Sequence, residues 1–593
     1  MTQTTRASAA DRRDARAAAA APDASGVFTH RQILTILAGL MLGMFLAALD
    51  QTVVSTAIRT IADDLHGYDL QAWATTAFLI TSTISTPLYG KLSDLYGRRP
   101  FYLFSIGVFV LGSMRCGLAT SMYQLAAFRA LQGIGAGGLM SLALAIIGDI
   151  VPPRERSRYQ GMFMAVFGTS SVLGPVIGGF FAGQASLLGV TGWRWIFYIN
   201  VPLGIAAFLV VFRVLHLPHT RREHRIDWPG ALALIVALVP LLIVAEQGRT
   251  WGWSSGKAVL CYAIGVVGLI AFILAERAYK DDALLPLRLL KNRSFSVGSV
   301  SSIVLGAGMF GGILLLPQYL QIVHGSSPTV AGLQMIPLVA GIMTGAMGSG
   351  IAISKTGKYK IYPLVGVVFI VAALLSMSFI LDANTSVWSL VPFMVLLGVG
   401  LGFNFQPVIL AVQNAVRPQE MGVATSSVTF FRQMGGTIGV AAFLSILFTT
   451  LPTKIADAAH AAVAANPTIA PQFAGLKNAN VTSDTAAFLA HQPAAVVDVF
   501  KTGFSNSIAL VFLVAAAVVA IGFFVLIFLP QVALRNESGI QAQQSGAGEI
   551  AGKGNDSDDA TTDDLAVAAG ASAPTSVSPA EETRTGGGLA HRA

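Results

Sequence analysis

The chain has 593 residues, 54% of them hydrophobic and only 11% charged, with a mean hydropathy of +0.66. Soluble chains carry about 25% charged residues, so a soluble enzyme and a nucleic-acid-binding protein are both excluded as sensible descriptions. The formal net charge of +8 therefore needs an explanation other than an acidic partner.

Residues 1–31 are polar, rich in Ala and Arg, and lack an apolar signal-peptide core, so a disordered N-terminus is expected, with the first span as uncleaved address. Fourteen apolar segments follow, near 32–58, 72–90, 101–119, 123–149, 159–183, 195–213 and 229–246, then 258–276, 295–322, 329–353, 361–381, 386–414, 421–449 and 508–529. Runs of about 18 apolar residues are long enough to cross a bilayer. Many contain some of the 61 glycines and 25 prolines, which membrane helices tolerate because neighbouring helices satisfy the freed backbone groups. The alternation of a closed barrel is absent. The expected fold class is an all-α polytopic membrane protein. Cys116 and Cys261 fall inside apolar runs and suggest neither a disulfide framework nor a metal site.

Basic residues fix the expected orientation. With the N-terminus inside, inner segments hold Arg12, Arg13, Arg16 and Arg31, Lys91, Arg98 and Arg99, Arg154, Arg156 and Arg158, and the later groups around Arg221, Arg288 and Lys355. Outer segments hold only scattered cations such as Arg59, Arg194 and Lys257. The positive-inside rule then places both termini in the cytoplasm. The net charge is a topology signal. Residues 451–505, polar and Ala-rich, read as an outer loop with some helix, and residues 530–593, poor in aromatics, as a disordered cytoplasmic tail.

The chain repeats itself. Gly90-Lys-Leu-Ser-Asp94-Leu-Tyr-Gly97-Arg98 returns as Gly350-Ile-Ala-Ile-Ser354-Lys-Thr-Gly357-Lys358, offset by 260, and Gly161, Gly174 and Gly178 return as Gly422, Gly435 and Gly439, offset by 261. This predicts two six-helix bundles, 32–213 and 295–529, with two helices (229–276) inserted between them. Parallel repeats flanking a midplane site are an architecture of alternating-access transporters.

At these residues the chain resembles the fourteen-helix drug:proton antiporters of the major facilitator superfamily, the EmrB/QacA type, over roughly residues 32–530. Leu49-Asp50-Gln-Thr52-Val-Val is similar to the family's LDxTVV element, Gly90 to Arg99 to its GxLxDxxGRR loop, and Arg129-Ala-Leu-Gln132-Gly133-Ile-Gly135 to its RxxQGxG. Gly174-Pro175-Val-Ile-Gly178-Gly179 resembles the antiporter GPxxGG, and Trp193 to Pro202 and Leu316 to Gln321 are further family-like stretches. The resemblance implies the major facilitator fold, a bacterial plasma membrane and proton-driven export of drugs or metabolites. It implies no cofactor, no catalytic residue, no metal and no nucleic acid, and a monomer among membrane lipids.

Asp50 is the sharpest candidate. A carboxylate inside a span is costly, about 2.5–3.5 kcal/mol on insertion scales, and is expected to face a water-filled cavity where it can exchange a proton. Arg129 sits at nearly the same depth by the helical rise of about 1.5 Å per residue, so the two are expected to meet as the proton-coupling pair. Gly90, Asp94, Gly97, Arg98 and Arg99, with Asp149 at the end of span four, form an expected inner charge cluster. The resemblance makes it a conformational latch, weaker in the second copy where Ser354 replaces the acid. Gly174, Pro175, Gly178 and Gly179 permit a bend and close packing; the resemblance makes them the antiporter hinge. Phe78, Gln132, Gln318, Tyr319, Asn404, Gln406 and Arg432 are expected around the substrate cavity.

These readings predict a proton-coupled multidrug exporter of lipophilic, neutral or monovalent cationic molecules. Export of an endogenous lipid, siderophore or secondary metabolite is the alternative within transport, and a membrane scaffold or sensor the alternative outside it. No GxxxxGK[ST] element is present, so the proton gradient rather than ATP is the expected driver.

Overall fold

The computed structural model describes residues 28–67, 70–217, 227–280, 282–473 and 492–542. The first half of the bundle comprises α1 (His30–Asp64), α2 (Gln71–Tyr96), α3 (Arg98–Gly117), α4 (Met122–Ile150), α5 (Pro153–Ala182), and the short α6 (Trp195–Tyr198) leading into α7 (Asn200–Val214). Next come α8 (Trp228–Trp251) and α9 (Gly256–Tyr279). The second half comprises α10 (Arg293–Ile322), α11 (Pro328–Gln334) leading into α12 (Ile336–Thr356), α13 (Ile361–Ile380), α14 (Val387–Ala415), α15 (Met421–Ala465) and α16 (Ala494–Ile527).

Counting α6 with α7 and α11 with α12, the described residues form fourteen helical segments that fall on the predicted intervals. Twelve have the length and hydropathy of a membrane span. Of the other two, α2 turns Thr76, Ser82, Thr83, Ser85 and Thr86 into the bundle, hydroxyl side chains that lower its mean hydropathy, and the 30-residue α10 carries Ser294, Ser299, Ser301 and Ser302 among its apolar residues. Helix starts follow from capping chemistry. Thr29, Ser121, Asp227, Ser255, Asn292 and Ser327 each accept a hydrogen bond from a first-turn backbone N–H. One small hairpin, Ser186–Leu187 paired with Val190–Thr191, joins α5 to α6; Leu188 and Gly189 turn it with positive φ.

The two halves are built alike. In the first, α1 packs on α5 and α7, α4 on α2 and α3, and α3 on α7; in the second, α10 packs on α15 and α16, α14 on α12 and α13, and α13 on α16. The repeated glycines do the same work in each. Gly174 and Gly178 bring α5 against Thr52, Val53 and Thr56 of α1, while Gly435 and Gly439 bring α15 against Ile303 and Ala307 of α10. Gly97 and Gly357, both at positive φ, end the second helix of each half, a conformation glycine adopts without steric cost. The halves meet where α5 packs on α12 and α2 on α15. The inserted α8 covers the latter seam, with Leu234, Leu238 and Leu242 in one apolar cluster with Ile80, Ile84 and Phe430.

Three boundaries differ from the sequence reading. Order begins before residue 31, because Phe28 is buried and His30 Nδ1 shares a 2.7 Å hydrogen bond with the Tyr159 hydroxyl. Within the expected outer loop 451–505, the described residues are mostly helical: α15 continues through the Ala-rich stretch to Ala465, and α16 begins at Ala494. Thirdly, residues 530–542 are not a disordered tail. They run beneath the end of the bundle at which α1 begins, here the terminal end. Tyr359 Oη, whose ionisation burial pushes above its ordinary range, donates to Pro530 O (2.8 Å) and accepts from Val532 N (2.9 Å). Asn414 Nδ2 donates to Ala533 O (3.0 Å) and its Oδ1 accepts from Arg535 N (3.0 Å). Ser538 and Ile540 are buried, and Gly539 lies against Asp149 and Gly148 of the first half. The disorder expected for 1–27 and 543–593 lies outside the described residues, as does 474–491.

This segment leaves the second half and ends on the first. Truncation after Leu529 is therefore expected to loosen the terminal end, read as faster hydrogen–deuterium exchange at 144–151 and 410–416 and no change in the half-to-half contacts of α5 with α12. Unchanged exchange at 144–151 would show that the segment binds without bracing.

Candidate functional site

Asp50 lies about three-fifths of the way along α1, with its side chain turned into the first half and 1% exposed. Arg129 on α4 meets it as the depth argument requires: Nη1 is 2.5 Å from Asp50 Oδ2. The second carboxylate oxygen accepts from Gln132 Nε2 at 2.8 Å and from Asn200 Nδ2 at 2.7 Å. Asn200 also donates to Ser113 Oγ (3.0 Å), whose own hydroxyl donates to Phe197 O (2.9 Å). Arg129 donates further to Gln132 Oε1 (2.7 Å) and Ala74 O (3.3 Å), and its guanidinium carbon sits 4.0 Å from the Phe78 ring centroid. Three helices, α1, α4 and α7, thus supply the acid and its donors. Charge-assisted bonds of this kind are the strong class, and removing one member of such a pair strands a buried charge.

One expectation changes here: the Asp50 carboxylate is enclosed by protein rather than facing a water-filled cavity. Phe78 and Gln132, expected around the substrate cavity, touch the Asp50–Arg129 pair. Asn200 and Ser113 carry hydrogen bonds that no spacing rule foretold, although Asn200 stands within the family-like stretch from Trp193.

The Gly174–Gly179 face lies against α1 one turn beyond Asp50. Thr52 Oγ1 donates across it to Ser170 O at 3.0 Å, and a side chain at Gly174 or Gly178 would strike Thr52, Val53 O or Thr56. Pro175 and Gly179 instead face α11, near Gly332 and Thr329. The motif is where α5 touches both halves at once.

At the terminal end the halves are shut. Arg98 bridges Asp94 (2.5 Å) and Asp149 (2.7 Å), all three buried, and also donates to Ser93 Oγ (2.6 Å). Asp94 then reaches the second half: its oxygens accept from Gly422 N (3.1 Å) and Val423 N (2.8 Å). These are the free N–H groups that open α15, where a helix end favours an anion. Gly90 has no room for a side chain because Ser426 and Gly422 O occupy its place. Arg99 points elsewhere: it donates to Phe212 O (2.6 Å) and stacks on that ring, tying α3 to α7.

A second plug lies beside it. Arg156, fully buried, donates to Gln413 Oε1 across the seam and to Gly148 O (2.7 Å) and Val151 O (2.9 Å). Gln413 Nε2 donates back to Leu144 O at 3.1 Å and to Thr425 Oγ1 at 2.8 Å. Sequence reading had counted Arg156 only toward topology. The Ser354 copy of the loop joins the seam through its carbonyl, which accepts from Arg154 Nε at 3.1 Å.

The sequence matches the Major Facilitator Superfamily profile over residues 40–440. The chain belongs to the major facilitator superfamily. It is 34% identical to multidrug resistance protein 3 of Bacillus subtilis (strain 168), over 83% of this chain and 94% of that one. To the multidrug transporter protein MdtP of the same organism it is 32% identical, over 86% and 95%. Among solved structures, the human organic anion transporter MFSD10 superposes with a TM-score of 0.54 at 16% identity, covering 83% of this chain and 99% of that one. The proton:xylose symporter XylE does so with 0.54 at 16%, covering 87% and 99%. Both show the fold. This member of the superfamily is a multi-pass membrane transporter of small molecules and not an enzyme.

The remaining candidates of the transporter lie in the second half. Tyr319 is fully buried and donates to Asp382 O at 2.7 Å, so it pins the loop after α13. Gln318 beside it is half-buried. Asn404, Phe405 and Arg432 line one cavity with Ser302, Leu305 and Met309 of α10. Gln406 is buried with neither amide atom partnered.

Proposed function

We propose that this transporter is a proton-coupled exporter of lipophilic, neutral or monovalent cationic small molecules, working by alternating access across a plasma membrane with both chain ends in the cytoplasm. The observation that carries the reading is the buried Asp50–Arg129 pair. Protonating Asp50 removes the anion that Arg129 holds, and Arg129 must then lean on Gln132, Ala74 O and the Phe78 ring alone. A proton and a rearrangement of α1 against α4 are thereby linked. Because Gly174 and Gly178 seat α5 on the next turn of α1, that rearrangement is passed to the helix that also contacts α11 and α12. The latch at Asp94, Arg98 and Asp149 and the plug at Arg156 and Gln413 would hold the cytoplasmic side closed while cargo leaves. The bundles 32–213 and 295–529 would be the two rocking bodies, with 229–276 riding on their seam. The names of the two Bacillus subtilis relatives favour drugs as cargo.

A proton entering gains about 2.3 kcal/mol per 100 mV and about 1.4 per pH unit. Exchange for a neutral molecule uses both, enough for a gradient of a few hundred-fold; exchange for a monovalent cation keeps only the pH part, about tenfold per unit. Fluorescent-substrate counterflow in proteoliposomes with an imposed pH gradient tests the reading. Substrate should accumulate against its gradient and the accumulation should collapse with a protonophore; accumulation indifferent to the pH gradient would overturn it.

A further inference from the structure

The two halves differ by one charge. Arg129 stacks on Phe78 and is neutralised by Asp50. Arg432 on α15 stacks on Phe405, its guanidinium carbon 3.7 Å from the ring centroid, and is likewise nearly buried, at 8% exposure. Among the described residues, no carboxylate pairs with it and no hydrogen bond reaches it. An arginine does not shed its proton inside a protein, and a ring face is a weaker counterpart than an anion. A cation left uncompensated out of water is unfavourable unless something completes it.

The surroundings point to what completes it. Arg432 lines the cavity between α10, α13, α14 and α15, together with Asn404. Asn404 Nδ2 is spent on Gly400 O at 2.9 Å, while its Oδ1 is buried without a partner, which is rare for a polar atom in a native interior. The Ser302 hydroxyl stands on the facing helix, and the other walls are apolar, from Leu305, Met309, Ile370 and Leu401. The guanidinium, a donor, can take an anionic head, and Asn404 Oδ1, an acceptor, an N–H or O–H beside it; the cavity, about 20 Å³, has room for the head alone, so a lipophilic body would lie outside it.

We propose that the Arg432 cavity is an anion-accepting subsite, which takes one carboxylate of a lipophilic cargo or a free halide. Its place in a transport cycle rests on the proposed function; its binding chemistry does not. A net-neutral zwitterion that brings its own carboxylate fits it, and a monovalent cation fits only with the halide in place to neutralise Arg432.

Binding to purified full-length protein, without any proton gradient, separates this from the transport reading. The probes are pyrenebutyrate and pyrenebutanol, which differ only in the charged group, titrated by pyrene fluorescence in chloride and in gluconate buffer. The wild type is expected to bind the carboxylate about tenfold more tightly than the alcohol, a difference of about 1.4 kcal/mol. Arg432→Gln should erase that preference and Arg432→Lys retain part of it, with the alcohol unaffected in both. Weaker pyrenebutyrate binding in chloride than in gluconate identifies a free halide as a second occupant; equal binding in the two salts assigns the site to the cargo carboxylate alone. Equal affinity of the wild type for the two probes overturns the proposal and needs no variant to be folded. So does an equal loss for both probes in Arg432→Gln.

Discussion

Asp50→Asn is expected to end uphill export while leaving downhill exchange of substrate in place. The amide keeps the shape of the carboxylate and can still accept from Gln132 and Asn200 (2.8 and 2.7 Å in the native protein), but it carries no titratable proton. It also strands Arg129, and breaking a buried pair by removing one partner costs about 3–5 kcal/mol. A lower thermal midpoint for the purified variant is the matching expectation. The double variant Asp50→Asn with Arg129→Gln removes both charges and should recover much of that stability without recovering uphill transport. The cycle separates the two roles of the pair, because residues in contact are not additive. Recovery of uphill export in the double variant would mean that the pair is scaffolding.

The second large effect is at Arg98. Its side chain alone joins Asp94 to Asp149, and Asp94 is what crosses to Gly422 and Val423. Arg98→Gln leaves two buried acids near each other with no cation between them, a penalty of the same order, about 3–5 kcal/mol. That is enough to shift the closed-to-open equilibrium of the terminal end by roughly a hundredfold to a few thousandfold. Spin labels at the exposed positions Glu155 and Lys355 should report a longer distance in Arg98→Gln than in the native protein. Arg98→Lys should fall between, since an ammonium cannot span both acids with the guanidinium's fixed fork. An unchanged distance distribution would assign closure to Arg156 and Gln413 instead.

What could be read in the sequence, and what could not, divides along physical lines. The spans were legible because bilayer thickness fixes their length, and the duplication because Gly90, Gly97, Gly174 and Gly178 recur with their copies in register. The meeting of Asp50 with Arg129 was legible from depth alone, since helix rise is constant. Depth says nothing of rotation about the helix axis, however. It therefore does not reveal that Phe78 and Gln132 touch the Asp50–Arg129 pair, or that the Tyr319 hydroxyl reaches the Asp382 carbonyl. Asn200 and Ser113 are 150 and 63 positions from Asp50, and polar residues of their kind occur throughout the spans. Arg156 was hidden by its own company, because three arginines in one inner loop read as topology. The order of 530–542 depends on Asn414 and Tyr359, side chains far away in sequence that serve as backbone partners for a stretch with little pattern of its own. In the second half the unpaired state of Arg432 is a fact about what is missing around it, which only coordinates give.

The central claim, that the Asp50–Arg129 pair takes up and releases the transported proton, is tested most directly by substrate-dependent proton movement. Protein reconstituted into liposomes carrying an internal pH dye, with no imposed pH gradient, would receive a pulse of a transported fluorescent substrate. In the native protein substrate entry should drive proton exit, and internal pH should rise in step with uptake. In Asp50→Asn the substrate should still equilibrate with no change in internal pH. Undiminished substrate-driven proton movement in Asp50→Asn would contradict the account.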